Sequence, residues 1–199
     1  MYFHDMKICF YIIFKIIFLV FVLKMRSFGF LNPKVLHILT FKMEKTLVIL
    51  KPCTIQRGMA GEIVSRFEKK GLLIAGMKMT WLTDELLDEH YSHLRDKPFF
   101  RKIKDSMEMC PVVVMCLEGV EAISVVRNLV GVTNGRLAQP GTIRGDYSMS
   151  MQENIVHASD SPETAEIELK RFFKEEEIFK YDHRLLLNLY AADEFGSSK

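Results

Sequence analysis

From Thr46 onward the apolar positions fall into short runs and helical stripes. Thr46 to Leu50 reads as a continuous apolar strand, the pattern of a central strand covered on both faces. Lys51-Pro52 ends it, because proline cannot donate to a ladder, and Lys51 is left at the rim. Ala60, Ile63, Val64 and Phe67 recur at i, i+3, i+4 and i+7, predicting a helix that ends on Lys69-Lys70 and Gly71. Leu72 to Trp81 reads as a second strand. Thr83-Asp84-Glu85 opens a helix reaching about Leu94, and Phe99 to Met107 forms another. Pro111 precedes a third strand, Val112 to Leu117. Ala122, Ile123, Val126, Leu129 and Val130 then make a helix closed by Gly131. Ile155-Val156 predicts a short buried strand with His157 at its end. Ser161-Pro162-Glu163 gives the next helix an N-cap, a proline at the first helical position and an acid in the first turn. Strands alternating with helices in this order predict one sheet with helices packed on it.

Two stretches break the pattern. Gly131 to Asn154 carries four glycines, a proline and almost no periodicity. Irregular segments longer than about 12–15 residues inside a compact domain are usually functional or disordered. This one leads directly into an apolar strand of the same sheet, which favours a binding loop over a linker. Residues 1–42 differ in makeup from the rest. Ile8 to Leu23 is an apolar run interrupted by Lys15 and followed by Lys24 and Arg26. It is shorter than the roughly 20 apolar residues that cross a bilayer, and it has no small-residue cleavage site of a signal peptide. The expectation is that residues 1–42 are translated upstream sequence and that the working protein starts at Met43, with a membrane anchor as the alternative. The working domain is then 43–195, with 196–199 as a tail.

Composition narrows the classes. The 199 residues suffice for one domain with a real core. Of the formal charge of +2, residues 1–42 hold +5, leaving a mildly acidic −3 on residues 43–199. That balance argues against a basic nucleic-acid footprint, so any phosphate binding must be local. Cys9, Cys53, Cys110 and Cys116 show neither CxxC pairing nor metal-ligand spacing, which points to reduced thiols in the cytoplasm.

Several residues converge on phosphate. Lys51 at a strand end offers a mobile point charge, while Arg127 and Arg144 offer planar forks that match phosphate oxygens. Thr133 adds a neutral donor in the glycine-rich loop. There is no GxxxxGK[ST] and no GxGxxG after a strand, so side chains must supply what a phosphate-cradling loop would. His157, held between a strand and a helix start, can then act as a nucleophile toward phosphorus if its second ring nitrogen is held by an acceptor. Glu168 lies seven residues beyond Ser161, on the helix line that tilts back toward His157, and is the expected orienter, directly or through Ser159. His90 and His93, at i and i+3, read as a solvated helix face rather than a metal site.

Asn154-Ile155-Val156-His157-Ala158-Ser159-Asp160, with Gly141-Thr142-Ile143-Arg144-Gly145-Asp146 and Leu50-Lys51-Pro52, closely resembles the nucleoside diphosphate kinases, from about Glu44 to Phe195. The resemblance implies an α+β, ferredoxin-like sandwich with a four-stranded antiparallel sheet. It also implies ping-pong transfer of the terminal phosphate of a nucleoside triphosphate, typically ATP, to a nucleoside diphosphate through phosphorylated His157. By position, Lys51, Arg127, Thr133 and Arg144 resemble the family's phosphate ligands, and Tyr91 helps hold the site around Lys51. Phe99 resembles the residue that stacks on the base, Asn154 with Lys51 the ribose-hydroxyl contact, and Ser159 with Glu168 the pair that positions the histidine. Mg2+ is expected on the nucleotide phosphates. The implied partners are nucleoside tri- and diphosphates and further copies of the chain, as a tetramer or hexamer; neither nucleic acid nor membrane is required. Cys53-Thr54, Asn134-Gly135 and Ala158 depart from common family residues, and Gly135 is expected to loosen a loop used in subunit contacts.

Two readings compete with the kinase: a phosphohistidine relay that passes its phosphate to a protein, and a non-catalytic ferredoxin-like nucleotide- or RNA-binding module. The module would need an RNP-like segment and a basic sheet face, and the body has neither.

Overall fold

The computed structural model of the chain describes residues 43–181 and 186–191. The expectations for residues 1–42 and the 196–199 tail, and Cys9 with them, lie outside the described residues. Residues 43–181 belong to one compact unit; the short helix α8 (Leu186–Leu189) belongs to another. Within the first unit the order is β1 (Glu44–Leu50), α1 (Pro52–Gln56), α2 (Ala60–Lys70), β2 (Leu73–Thr80), α3 (Asp84–His90), α4 (Phe100–Met107), β3 (Val112–Gly119), α5 (Ala122–Val130), α6 (Ile143–Tyr147), β4 (Val156–Ala158) and α7 (Pro162–Phe172). The strands form one sheet in the order β2-β3-β1-β4, every neighbouring pair antiparallel. This is the expected ferredoxin-like α+β sandwich. Among the described residues no helix is long and apolar enough to cross a membrane.

β1 reads as an unbroken apolar run because both of its faces are covered. Val48 and Leu50 pack with Ile63, Phe67 and Val126 of α2 and α5, while Leu47 and Ile49 pack with Leu87, Leu169 and Phe172 of α3 and α7. Side chains alternate across a strand, so two separate helix layers follow from one continuous sequence pattern. The register of β4 decides where the histidine goes. Ile49 lies opposite His157, and Val48 and Leu50 lie opposite Ala158 and Val156. His157 is therefore on the α3/α7 face while its two neighbours are buried in the α2/α5 core.

The helix signals place most boundaries. Thr83 Oγ1 accepts from the Leu86 amide at 3.3 Å and Ser161 Oγ from the Thr164 amide at 3.1 Å, the caps expected of them. Gly71 closes α2 in the left-handed region, φ 97°. The helix expected to run from Thr83 to Leu94 stops at His90 and continues as a 3-10 turn, Ser92–Leu94. Pro52, placed as a strand terminator, also opens the five-residue α1.

Three expectations are corrected. The Gly131–Asn154 stretch holds a 3-10 turn, Gly135–Leu137, and the helix α6, capped by the Thr142 hydroxyl on the Gly145 amide. Gly135 does not loosen that loop. It is buried, and a Cβ there would lie 2.3 Å from the Ser148 carbonyl oxygen, so glycine permits close packing. Ile155 is not a strand residue: its φ is 72°, in the left-handed region that β-branched side chains rarely adopt, and β4 begins one residue later.

Candidate active site

Ile155 is fully buried, and its carbonyl oxygen accepts from the Lys51 amide at 2.9 Å and from the Thr54 hydroxyl at 2.5 Å. Left-handed backbone at such a residue costs on the order of 1–3 kcal/mol, held here by those bonds and by the packing around the side chain. The kink lets Asn154 and His157 line one pocket while Ile155 between them stays in the core.

His157 Nε2 lies 2.9 Å from Glu168 Oε1, and Ser159 Oγ donates to Glu168 Oε2 at 2.5 Å. Glu168 thus meets the histidine directly and Ser159 as well. Ala165, Glu168, Leu169 and Phe172 are the buried positions of α7, so the apolar stripe itself turns Glu168 toward the sheet. Burial pushes the Glu168 carboxyl up, but the bonds from His157 and Ser159 outweigh it and hold the group below its ordinary value. The carboxylate fixes Nε2 as the protonated nitrogen and leaves Nδ1 with a free lone pair.

His90 is not on a solvated face. It is 4% exposed, its ring meets that of His157 edge-on with centroids 4.7 Å apart, and its Nδ1 is 3.6 Å from Glu168 Oε1. Leu87 and Tyr91 are buried on the same helix stripe, and His90, three residues from Leu87, shares it. That spacing was the available signal. Burial, reinforced by His157, pushes His90 down to about 3, so the ring stays neutral. His93 remains exposed. Ligating atoms of His90, His157 and Glu168 lie within 4.8 Å of one another. The Arg171 guanidinium stands 3.4 Å from His90 Nδ1, however, a poor setting for a resident cation.

The phosphate-directed residues gather on the same pocket, a cavity of about 590 Å³ lined by Lys51, Tyr91, Phe99, Arg127, Thr133, Arg144, Asn154, His157 and Glu168 among others. Lys51 is not a free-swinging charge: its Nζ donates to the Gln152 carbonyl at 3.0 Å. Burial brings its ammonium down to about 8, with Cys53 and Glu153 working against that shift and Arg144 adding to it. Arg144 is nearly buried and already spends three donors, on the carbonyls of Asn154 (3.2 Å), Gly131 (2.8 Å) and Val156 (2.7 Å). Two of its five N–H groups remain for a ligand. Burial and then Arg127 bring it down to about 10. Arg127 projects from α5 past the strand end, its Nη1 3.5 Å from the Ala158 carbonyl.

Asn154 is 3% exposed, and its Nδ2 donates to the carbonyls of Thr133 (3.1 Å) and Met151 (2.8 Å). Its Oδ1 is buried without a hydrogen-bond partner among the described residues, an acceptor available to a hydroxyl. Phe99, the residue before α4, is 44% exposed on the pocket wall. Tyr91 is buried. Its ring contacts are with His90 and, at 6.4 Å between centroids, His157; no hydrogen bond to Lys51 occurs among the described residues. Leu94, Ile103, Met151, Gln152, Asp160 and Thr164 also line the cavity, and sequence reasoning assigned none of them.

Known proteins resemble this chain in sequence and in fold. The profile of the family described as nucleoside diphosphate kinase matches residues 44–178. A nucleoside diphosphate kinase of Parabacteroides distasonis is 76% identical over 153 residues, which are 77% of this chain and all of that protein. One from Pyrococcus horikoshii is 53% identical over 141 residues, 69% of this chain and 90% of that protein. Among solved structures, a halophilic nucleoside diphosphate kinase from Halobacterium salinarum in complex with CDP superposes with a TM-score of 0.74 at 39% identity, covering 75% of this chain and all of that one. The chain belongs to the nucleoside diphosphate kinase family. It is a phosphotransferase, moving the terminal phosphate of a nucleoside triphosphate to a nucleoside diphosphate by the family's ping-pong route through a phosphohistidine.

Proposed function

We propose that His157 is the histidine that carries the phosphoryl group. The observation that supports this most directly is the His157–Glu168 pair, 2.9 Å apart, on the wall of a pocket that Lys51, Arg127 and Arg144 also line. In the first half-reaction the Nδ1 lone pair attacks the γ-phosphorus. The bond from that phosphorus to the β,γ-bridging oxygen breaks, and the diphosphate leaves with the electron pair. The ring becomes a cation sharing its charge through Nε2–H, which Glu168 balances, while Ser159 holds the second carboxylate oxygen. A second diphosphate then attacks the same phosphorus with a terminal oxygen, the P–N bond breaks, and the imidazole returns neutral.

The cations neutralise charge on the transferring group, with Arg144 preorganised by its three backbone bonds and Thr133 adding a neutral donor. Phe99 stacks on the base, which suits broad specificity because every base has a π-face. Asn154 and Lys51 meet ribose hydroxyls, and Tyr91 packs behind the histidine. Mg2+ bound with the nucleotide would supply further charge neutralisation beside Lys51, Arg127 and Arg144. Asp160, also on the pocket wall, would offer a carboxylate toward such an ion, whereas Glu168 is already engaged by His157 and Ser159.

The enzyme works in the cytoplasm as a homo-oligomer, a tetramer or hexamer. Free thiols at Cys53, Cys110 and Cys116 suit a reducing compartment. Met77 and Met79 on β2, with Trp81 just beyond, are about half exposed at one side of the sheet, apolar surface suited to a second copy. Steady-state transfer from ATP to GDP tests the assignment: His157→Ala should abolish turnover, while Phe99→Ala should mainly raise KM. Near-normal turnover in His157→Ala refutes it.

A further inference from the structure

Gln152 belongs neither to the histidine motif nor to the cation set, yet it lines the pocket. Its Nε2 donates at 2.7 Å to the carbonyl of Lys102 in α4, the helix that begins immediately after Phe99 and carries Ile103 on the pocket wall. Its own carbonyl accepts from Lys51 Nζ at 3.0 Å. One residue therefore joins the wall bearing the exposed aromatic ring to the Lys51 ammonium. A second tie runs beside it, Ser106 of α4 donating to Glu153 Oε1 at 2.5 Å. The turn that presents both residues is fixed from within, because Ser150 Oγ accepts from the amides of Gln152 (3.1 Å) and Glu153 (3.0 Å).

We infer that Gln152 is a positioning residue for nucleotide binding, holding α4 at a fixed distance from Lys51 so that the base and the sugar–phosphate end of one nucleotide are met together. The inference rests on the nucleotide reading of the pocket given above. The side-chain bond is the replaceable part of the bracket, since the Lys51 contact uses backbone. Without it only the Ser106–Glu153 tie joins α4 to this turn, and the adjustment left for the nucleotide to complete on binding weakens affinity. The His157–Glu168 pair is built on β4 and α7 and does not pass through Gln152, so the chemical step should be spared.

The test compares wild type with Gln152→Met, which keeps length and packing but removes the donor, and Gln152→Ala. Both substitutions should raise KM for ATP and for GDP by about three- to tenfold, the range of one neutral hydrogen bond, with kcat within about twofold. Inhibition by inorganic triphosphate, which meets the cations but has no base to stack, should keep its wild-type constant in both variants. A wild-type KM in Gln152→Met overturns the inference, and so does an equal loss of triphosphate binding, which would mean general damage to the site. If wild type transfers no phosphate at all, the nucleotide reading fails with it; if wild type turns over normally and Gln152→Met matches its KM, only the role of Gln152 fails.

Discussion

Glu168 shows how one carboxylate can serve packing and chemistry together. It occupies a core-facing position of α7, where an unpaired charge would be costly, and both of its oxygens are satisfied by groups from the β4 end, His157 and Ser159. His90 sits behind this pair as a neutral ring accepting from Arg171 Nη1, and its Nε2 has no hydrogen-bond partner among the described residues. Its proton affinity is depressed on folding, from 6.5 to about 3. Between those values the unfolded chain holds a proton there that the folded protein does not, so stability is full above pH 6.5 and declines as the pH falls toward 3. Glu168, also depressed, adds loss at the acid end. Urea midpoints across that range should fall for wild type with a contribution approaching about 1.4 kcal/mol per pH unit. His90→Gln should fall less steeply; parallel slopes would contradict a neutral, buried His90.

The elements were largely readable because each rests on local chemistry: caps at Thr83 and Ser161, the continuous apolar run of β1, the left-handed Gly71. What escaped depends on contacts between distant segments. The turn at Ile155 is held by Lys51 and Thr54, about a hundred residues away, and nothing in Ile-Val distinguishes it from strand. Arg144 reads as a free fork until the carbonyls of Gly131, Asn154 and Val156 are placed around it. Gly135 reads as slack, yet its missing Cβ is what lets the 3-10 turn lie against Ser148. Gly135→Ala should therefore destabilise the protein by about 2 kcal/mol, the cost of overpacking against backbone, measured by urea unfolding. A change within about 0.5 kcal/mol would show that the loop yields.

In the molecule as a whole, the antiparallel sheet separates two jobs. Its α2/α5 face, with Val156 and Ala158, is a packed core, and its α3/α7 face turns His157 toward Glu168 beneath an open pocket. The half-exposed apolar side chains at the β2 side lead us to expect assembly. Light scattering should give four or six times the 23.1 kDa chain, and a monomer would contradict that expectation. The central claim is tested most directly by incubation with γ-labelled ATP and no acceptor. The account predicts an acid-labile, alkali-stable label on His157 that GDP or UDP discharges. No label, or label that nucleoside diphosphates leave in place, would contradict it.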